Sequence, residues 1–397
     1  MRKDYLISLI LILFIVPEGK AQLTVDWNAW ANIELSQGQE TSHYYYNQIH
    51  KDYKGWRAGL SDLNVASNIT IKPELKLNVR ARLTRELGAK LTSFQLPLLN
   101  LQYLPKDKNW SILLGQFITP AGGFSDLQHP TDRIFIGEPL RHSYYTNISP
   151  LTGFAEFMGE QPFKIDNEVV WGSSMLYYGA YISGLRFNWK IIPDKLSYTF
   201  ALTNGSPNIS NRPFNLKNWG VINRVKYQPI YFWEQQFTIS YGSFQADNNL
   251  IPESVSPFNQ LLLGTDFELG YGFWAFTGEV LHARYQVPQF FPDRALFSEA
   301  RQNLSVTAYS LNAKYEFPFV SGLYAALGIE ALTFSEYEDQ QAYATSQWDD
   351  NVWRITIGSG YKINEFLLFR LGYNIQQVDN HPVWKQNTFR AILTAHY

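Results

Sequence analysis

The stretch NTFRAILTAHY, residues 387–397, alternates without a break. Phe389, Ala391, Leu393, Ala395 and Tyr397 fall on one face. Thr388, Arg390, Ile392, Thr394 and His396 fall on the other. A strand that is apolar on one side, mostly polar on the other and closed by an aromatic residue fits the last strand of a transmembrane β-barrel. An ordinary half-buried C-terminal strand would look the same in isolation, so the rest of the chain has to decide.

The same alternation recurs upstream. Residues 24–35 put Val25, Trp27, Ala29, Ala31, Ile33 and Leu35 on one face, against Asp26, Asn28, Asn32 and Glu34, with Trp30 the one apolar exception on the polar face. Leu75, Leu77, Val79, Ala81 and Leu83 alternate with Lys76, Asn78, Arg80, Arg82 and Thr84. Further period-2 runs cover 57–71, 94–104, 110–119, 175–190, 195–204, 217–228 and 235–244. The series continues with 259–269, 273–283, 305–317, 322–334, 351–362 and 366–376. That makes sixteen strands, an even number that leaves both ends of the chain on one side of a membrane.

The connections sort by parity. Short ones (72–74, 105–109, 191–194, 229–234, 270–272, 318–321, 363–365) suit periplasmic turns. Long ones such as 36–56, 284–304 and 335–350 suit extracellular loops. The expected fold is therefore an all-β, antiparallel transmembrane barrel. Residues 120–174, after the fifth strand, form a connection far longer than the rest. A loop of that length needs a role, and folding into the lumen as a constriction supplies one. If Gln116 faces the lumen, Ile112, Leu114 and Ile118 give the loop an apolar row to cover. The alternative makes 151–159 and 164–171 another hairpin, for eighteen strands.

Composition agrees. Aromatic residues make up 16% and hydrophobic residues 45% of the 397, yet mean hydropathy is −0.23, as when each strand divides between lipid and water. The 25 Tyr and 12 Trp are residue types of membrane interfaces. Arg2 and Lys3, the apolar run 6–16 and the Gly19-Lys20-Ala21 site read as a signal peptide over 1–21, with the barrel over 22–397. That apolar run is too short for a helical span. There is no cysteine, which removes disulfides and thiol chemistry and suits passage through an oxidising periplasm. A net charge of −2 argues against nucleic acid. No HExxH, GxSxG or GxxxxGK occurs, the seven histidines are scattered, and no cofactor is expected.

Residues 113–124 (LLGQFITPAGGF) resemble a hallmark of the phosphate-selective porin family (porin O and P), in which a Gly-Gln-Phe strand runs into an infolded, Pro-rich loop. Gly115-Gln116-Phe117 with Pro120, Gly184-Leu185-Arg186, Tyr198 with Asn204-Gly205-Ser206, and Asn223-Arg224 with Tyr227 and Pro229 follow in the same order, and the last strand closes the match. The resemblance implies sixteen strands, a constricting third loop and a homotrimer of passive anion channels. It also implies that Tyr397 is read by the barrel-assembly machinery. The chain departs from the pattern in having no lysine cluster in the loop or the short turns, which leaves phosphate preference open.

With the polar faces inward, Lys76, Arg80 and Arg82 lie on strand three, Arg186 on six, and Arg224 and Lys226 on eight. Arg354, Arg370 and Arg390 lie on fourteen to sixteen, and Arg133 and Arg141 on the long loop. Closure makes fourteen through three an arginine-rich arc, with Asp266, Glu268, Glu279, Glu316 and Glu330 beside it on ten to thirteen. Segregated charge in a narrow pore sets a transverse field, and arginine presents a planar fork to oxyanions. Alternatively these charges are salt-bridged pairs or solvated wall residues. The expectation is an outer-membrane channel for small hydrophilic solutes with a mild anion preference, surrounded by lipid and lipopolysaccharide. A plugged structural barrel whose outer loops bind a partner is the second reading. Arg390→Glu is expected to shift ion preference without touching insertion, and deleting Tyr397 to impair insertion. Aromatic residues in the loops (Tyr44–Tyr46, Phe290, Phe291, Trp348) suit sugar stacking, a lipoprotein partner or plain packing.

Overall fold

The computed structural model describes residues 23–38, 55–85, 92–127, 129–155, 164–165, 168–169, 172–177, 181–209, 218–246, 251–291, 296–338, 345–379 and 387–397. The signal-peptide reading, Tyr44–Tyr46 and three of the histidines lie outside them.

Sixteen strands pair in order and antiparallel. They are β1 (Thr24–Gly38), β2 (Gly55–Lys72), β3 (Leu75–Arg85), β4 (Thr92–Tyr103), β5 (Trp110–Ile118), β6 (Tyr181–Ile192), β7 (Leu196–Thr203) and β8 (Gly220–Ile230). They continue as β9 (Trp233–Ser243), β10 (Asn259–Tyr271), β11 (Trp274–Phe291), β12 (Leu296–Glu316), β13 (Leu323–Phe334), β14 (Val352–Lys362), β15 (Leu367–Val378) and β16 (Thr388–His396). β1 pairs with both β2 and β16, so the sheet closes and leaves no open edge in the wall, as lipid requires. At the seam Ala29 and Tyr397 exchange two backbone hydrogen bonds, at 3.1 and 2.8 Å, and the Trp27 and Tyr397 rings lie 4.7 Å apart. No helix among the described residues is long and apolar enough to cross a membrane; the strands do the crossing.

Parity follows the sequence along most of the wall. Val25, Leu60, Leu101, Phe237, Ile239 and Leu263 are exposed on the outer surface. Trp189, Trp233 and Trp274 are exposed near the short-turn end. Asn32, Glu34, Asn64, Arg80 and Thr394 turn inward and are buried.

Three local expectations are corrected. On β5 the faces are reversed: Leu114 is exposed, whereas Ser111 and Phe117 are buried inward, and a one-residue change of parity flips every side chain. Phe117 is held by the loop's apolar core. Gly115, at φ +122°, lies so close to β4 that a methyl group there would sit 2.4 Å from the Leu99 carbonyl oxygen. Second, residues 284–304 are not a free loop: β11 and β12 run on as a tall hairpin, paired from Arg284–Ser305 to Phe291–Leu296 with one shift of register between Pro288 and Phe290. Tyr285, Val287, Leu304 and Val306 pack its inner face against the long loop. Third, residues 175–177 belong to the loop rather than to the sixth strand, with Met175 and Leu176 fully buried. The alternative of an additional wall hairpin does not occur among the described residues. Lys164–Ile165 and Glu168–Val169 pair only with each other. Gly153–Phe154 pairs with Ile148–Ser149 and touches β11 at one position.

The apolar core lies inside the barrel. Leu140, Tyr144, Ile148, Phe154 and Met175 of the loop pack against Ile222, Leu262, Leu281, Leu332 and Val352 of the wall. Trp348 is buried among Phe154, Tyr285 and Phe334, and Phe290 meets Phe297 at 4.9 Å. Phe290 and Trp348 therefore serve packing.

Candidate functional site

The loop that follows β5 crosses the lumen and touches most of its circumference. From the end of β5 it passes Gly122 and Gly123, which abut Glu279 of β11 and Asp266 of β10. Asp126 then accepts two hydrogen bonds from Arg224 of β8, at 3.1 and 2.7 Å. At the opposite wall His129 packs its ring 4.6 Å from Trp30 of β1 and 5.7 Å from His396 of β16. Burial lowers the pKa of His129, and nearby cations reinforce the shift.

The loop then turns back. Arg133 donates to the Leu127 carbonyl at 2.9 Å and to Glu138 at 3.1 Å, with its guanidinium over the Phe124 ring. Phe135 lies on bare backbone: a methyl group at Gly328 or Gly358 would fall within 3.0 Å of its ring. Tyr324 of β13 donates to the Ile134 carbonyl at 2.8 Å. Arg141 then pairs with Glu279 and lies 3.8 Å from Glu330. His142 is fully buried, and desolvation holds its pKa well below the usual value.

Beyond the barrel rim, Asp349 latches the loop. It accepts from the Tyr144 hydroxyl at 3.0 Å and from the backbone N–H groups of Asn147 and Asp350, both at 2.8 Å. Burial nonetheless raises its pKa to about 7. Desolvation of the carboxylate outweighs what three donors return.

Every wall arginine singled out in the sequence faces inward, but most of them hold carboxylates. Arg82 meets Asp62 at 3.0 Å, Lys226 meets Glu234 at 2.5 Å, and Arg354 meets Glu330 at 2.6 Å while also donating to the Glu138 carbonyl at 2.8 Å. Arg390 forms a fork with Glu34 at 2.6 and 2.8 Å. Arg80 donates to Asn64 at 2.8 Å and lies over the Trp30 ring.

Neither Arg186 nor Arg370 has a carboxylate in contact among the described residues. Arg186 donates to Asn188 at 2.7 Å and to the Ile118 carbonyl at 3.4 Å. Arg370, 3% exposed, reaches only Thr394 and the Arg133 carbonyl, at 3.3 and 3.4 Å. Glu34, Asp126, Glu138 and His129 complete the site without having been singled out as site residues. Only Glu34 carried a signal, as a carboxylate on the polar face of the first strand.

Two polar regions remain in the lumen. Along β2–β4 lies a ladder of side chains that are half-buried at most positions. Asn78 donates to Asn100 at 2.9 Å and to Gln102 at 3.3 Å, with Lys76 and Arg82 in the same faces. Across the lumen, a cavity of about 330 Å³ lies between the loop and β8–β15. Eight carboxylates and five arginine or lysine side chains line it.

No family model and no curated protein matches the chain. Solved structures match along nearly its full length. An anion-selective porin of Comamonas acidovorans superposes with a TM-score of 0.59 at 8% identity, over 95% of this chain and all of that one. OmpF of Salmonella typhi, in complex with daunomycin, gives 0.58 at 12% identity, over 94% and 97%. OmpT of Vibrio cholerae, an outer-membrane protein in its trimer form, gives 0.57 at 11% identity, over 94% and 99%. At these identities the likeness establishes the fold: a sixteen-stranded barrel of the outer-membrane porin type.

Proposed function

We propose that the chain is a passive outer-membrane channel for small hydrophilic solutes, with a mild preference for anions. The observation that carries this reading is the wall along β2–β4. It is polar and basic on balance, with half-buried Lys76 and Arg82 and buried Arg80 against Asp62. The infolded loop leaves this wall outside the apolar core, so water and solute have a polar surface to follow.

Arg186 and Arg370, which meet no carboxylate among the described residues, add positive potential at the level of the loop. The remaining arginines contribute less than their number suggests, because each paired carboxylate cancels one charge. The phosphate specificity implied by the sequence resemblance has no lysine cluster behind it. Assembly as a homotrimer is part of this reading and is supported by the trimeric form of one fold neighbour. So are insertion through Tyr397 and contact with lipopolysaccharide.

A second reading has its own observation. The loop's apolar core reaches from Ile182 on β6 to Val378 on β15, and His129 touches the opposite wall, as a plug would. Planar-bilayer recording separates the two. Stable steps with a reversal potential on the anion side support the channel; cation preference removes the selectivity, and silence at all voltages favours the plug.

A further inference from the structure

On the lumen face of β10 and β11, Asp266 and Glu279 stand directly opposite each other in register. Like charges in that relation repel, since opposed Cβ atoms are only about 5 Å apart. Glu279 has its counter-ion in Arg141. Asp266 does not. Asp266 is buried, at 6% exposure. No hydrogen bond or ion pair reaches it from any described residue.

Asp266 lines the 330 Å³ cavity, whose size falls within the range of small-molecule sites. The loop comes close beside it but adds no donor: a methyl group on Gly123 would sit 3.0 Å from Asp266 Oδ1. The cationic side chains around the cavity are already engaged, Lys314 with Glu316 among them. Arg354 holds Glu330, Lys226 holds Glu234, Arg133 holds Glu138, and Arg224 holds Asp126. A buried carboxylate without a partner is costly, and the missing element here is a cation that enters from solution.

We propose that Asp266, with Glu279 beside it, binds the primary ammonium group of a small organic cation in this cavity. No group of three metal-ligating side chains converges among the described residues, which favours an organic amine over a metal ion. The ammonium donates to the free Asp266 oxygens and relieves the Asp266–Glu279 repulsion. Glu268, which lines the same cavity, holds a further positive charge, and the apolar flank of Phe124 and Phe135 covers a methylene chain. The site deepens the channel reading and rests on it for any part in transport, although binding itself does not require conduction.

The experiment is isothermal titration of the purified, detergent-folded full chain with spermidine, and with a neutral diol of similar length. The proposal expects saturable binding of spermidine, none of the diol, and binding about tenfold weaker in Asp266→Asn, the loss of one charge-assisted contact. Absence of spermidine binding overturns it. So does equal binding of the diol, or unchanged affinity in an Asp266→Asn barrel that retains its heat-modifiable gel mobility. Should that variant fail to fold, the amine-against-diol comparison on the native chain decides alone. A conducting channel that ignores spermidine refutes the site but not the channel. A silent barrel that binds spermidine refutes the channel but not the site.

Discussion

Arg390 on the last strand and Glu34 on the first are joined by a two-bond fork, 2.6 and 2.8 Å long, across the seam that closes the barrel. Both side chains are largely shielded, at 11% and 1% exposure. Removing one partner of such a pair leaves a buried charge and costs about 3–5 kcal/mol. Arg390→Glu would set two carboxylates against each other there. The expectation from sequence that this variant inserts normally is therefore withdrawn. It should insert poorly, and the swap Arg390→Glu with Glu34→Arg should recover much of the loss. The fraction of heat-modifiable barrel in outer-membrane preparations measures both.

Tyr397 extends the same seam. It exchanges two backbone hydrogen bonds with Ala29 and places its ring against Trp27. Deleting it removes all three contacts, whereas Tyr397→Ala keeps the backbone pair. The deletion should slow folding into lipid vesicles more than the alanine variant does. Equal rates would mean that the ring alone matters.

The architecture was legible in the sequence because strand alternation is local. β3 shows its two faces in eleven consecutive residues, and the parity of loop lengths needed no partner. What stayed hidden depends on contacts between distant segments. Arg390 and Glu34 are 356 positions apart, so a lumen-facing arginine could be placed on its face but not paired. On β5 the sequence points to the wrong face because the inward one is apolar: Phe117 answers to the loop packed against it, and alternation alone does not say which face meets lipid. The tall β11–β12 hairpin reads as a loop in the sequence because its core is supplied by residues of another loop. Asp126 and Asp266 carried no signal that would distinguish a paired carboxylate from an orphan.

The Asp349 latch gives a pH dependence with a definite sign. Its pKa is raised by burial to about 7, above the value of about 3.9 for an unfolded chain. The folded loop therefore binds the proton more tightly than the open one. The latch should be strongest below about pH 4 and weaken as pH rises through about 7. Hydrogen exchange at the Asn147 amide should quicken between pH 5 and pH 8, after correction for intrinsic rates. Asp349→Asn should flatten that dependence.

Arg141 ties the loop to the acidic wall through Glu279 and Glu330, and the Leu140 N–H adds a bond to Glu330 at 3.2 Å. Arg141→Gln should loosen that crossing while leaving the seam and the Asp349 latch in place. It also exposes Glu279 as a second uncompensated carboxylate beside Asp266, so two changes are expected together. Single-channel conductance should rise because the loop no longer holds its line across the lumen. The reversal potential should move toward cations because a fixed positive charge has gone. Higher conductance with unchanged selectivity would place the ion path on the β2–β4 side, away from this pair. A shift in selectivity with unchanged conductance would mean that Arg141 acts by its field and not as an anchor. If neither moves, the loop is held by its apolar core alone, through Leu140, Tyr144 and Ile148, and the constriction has to be sought in that packing.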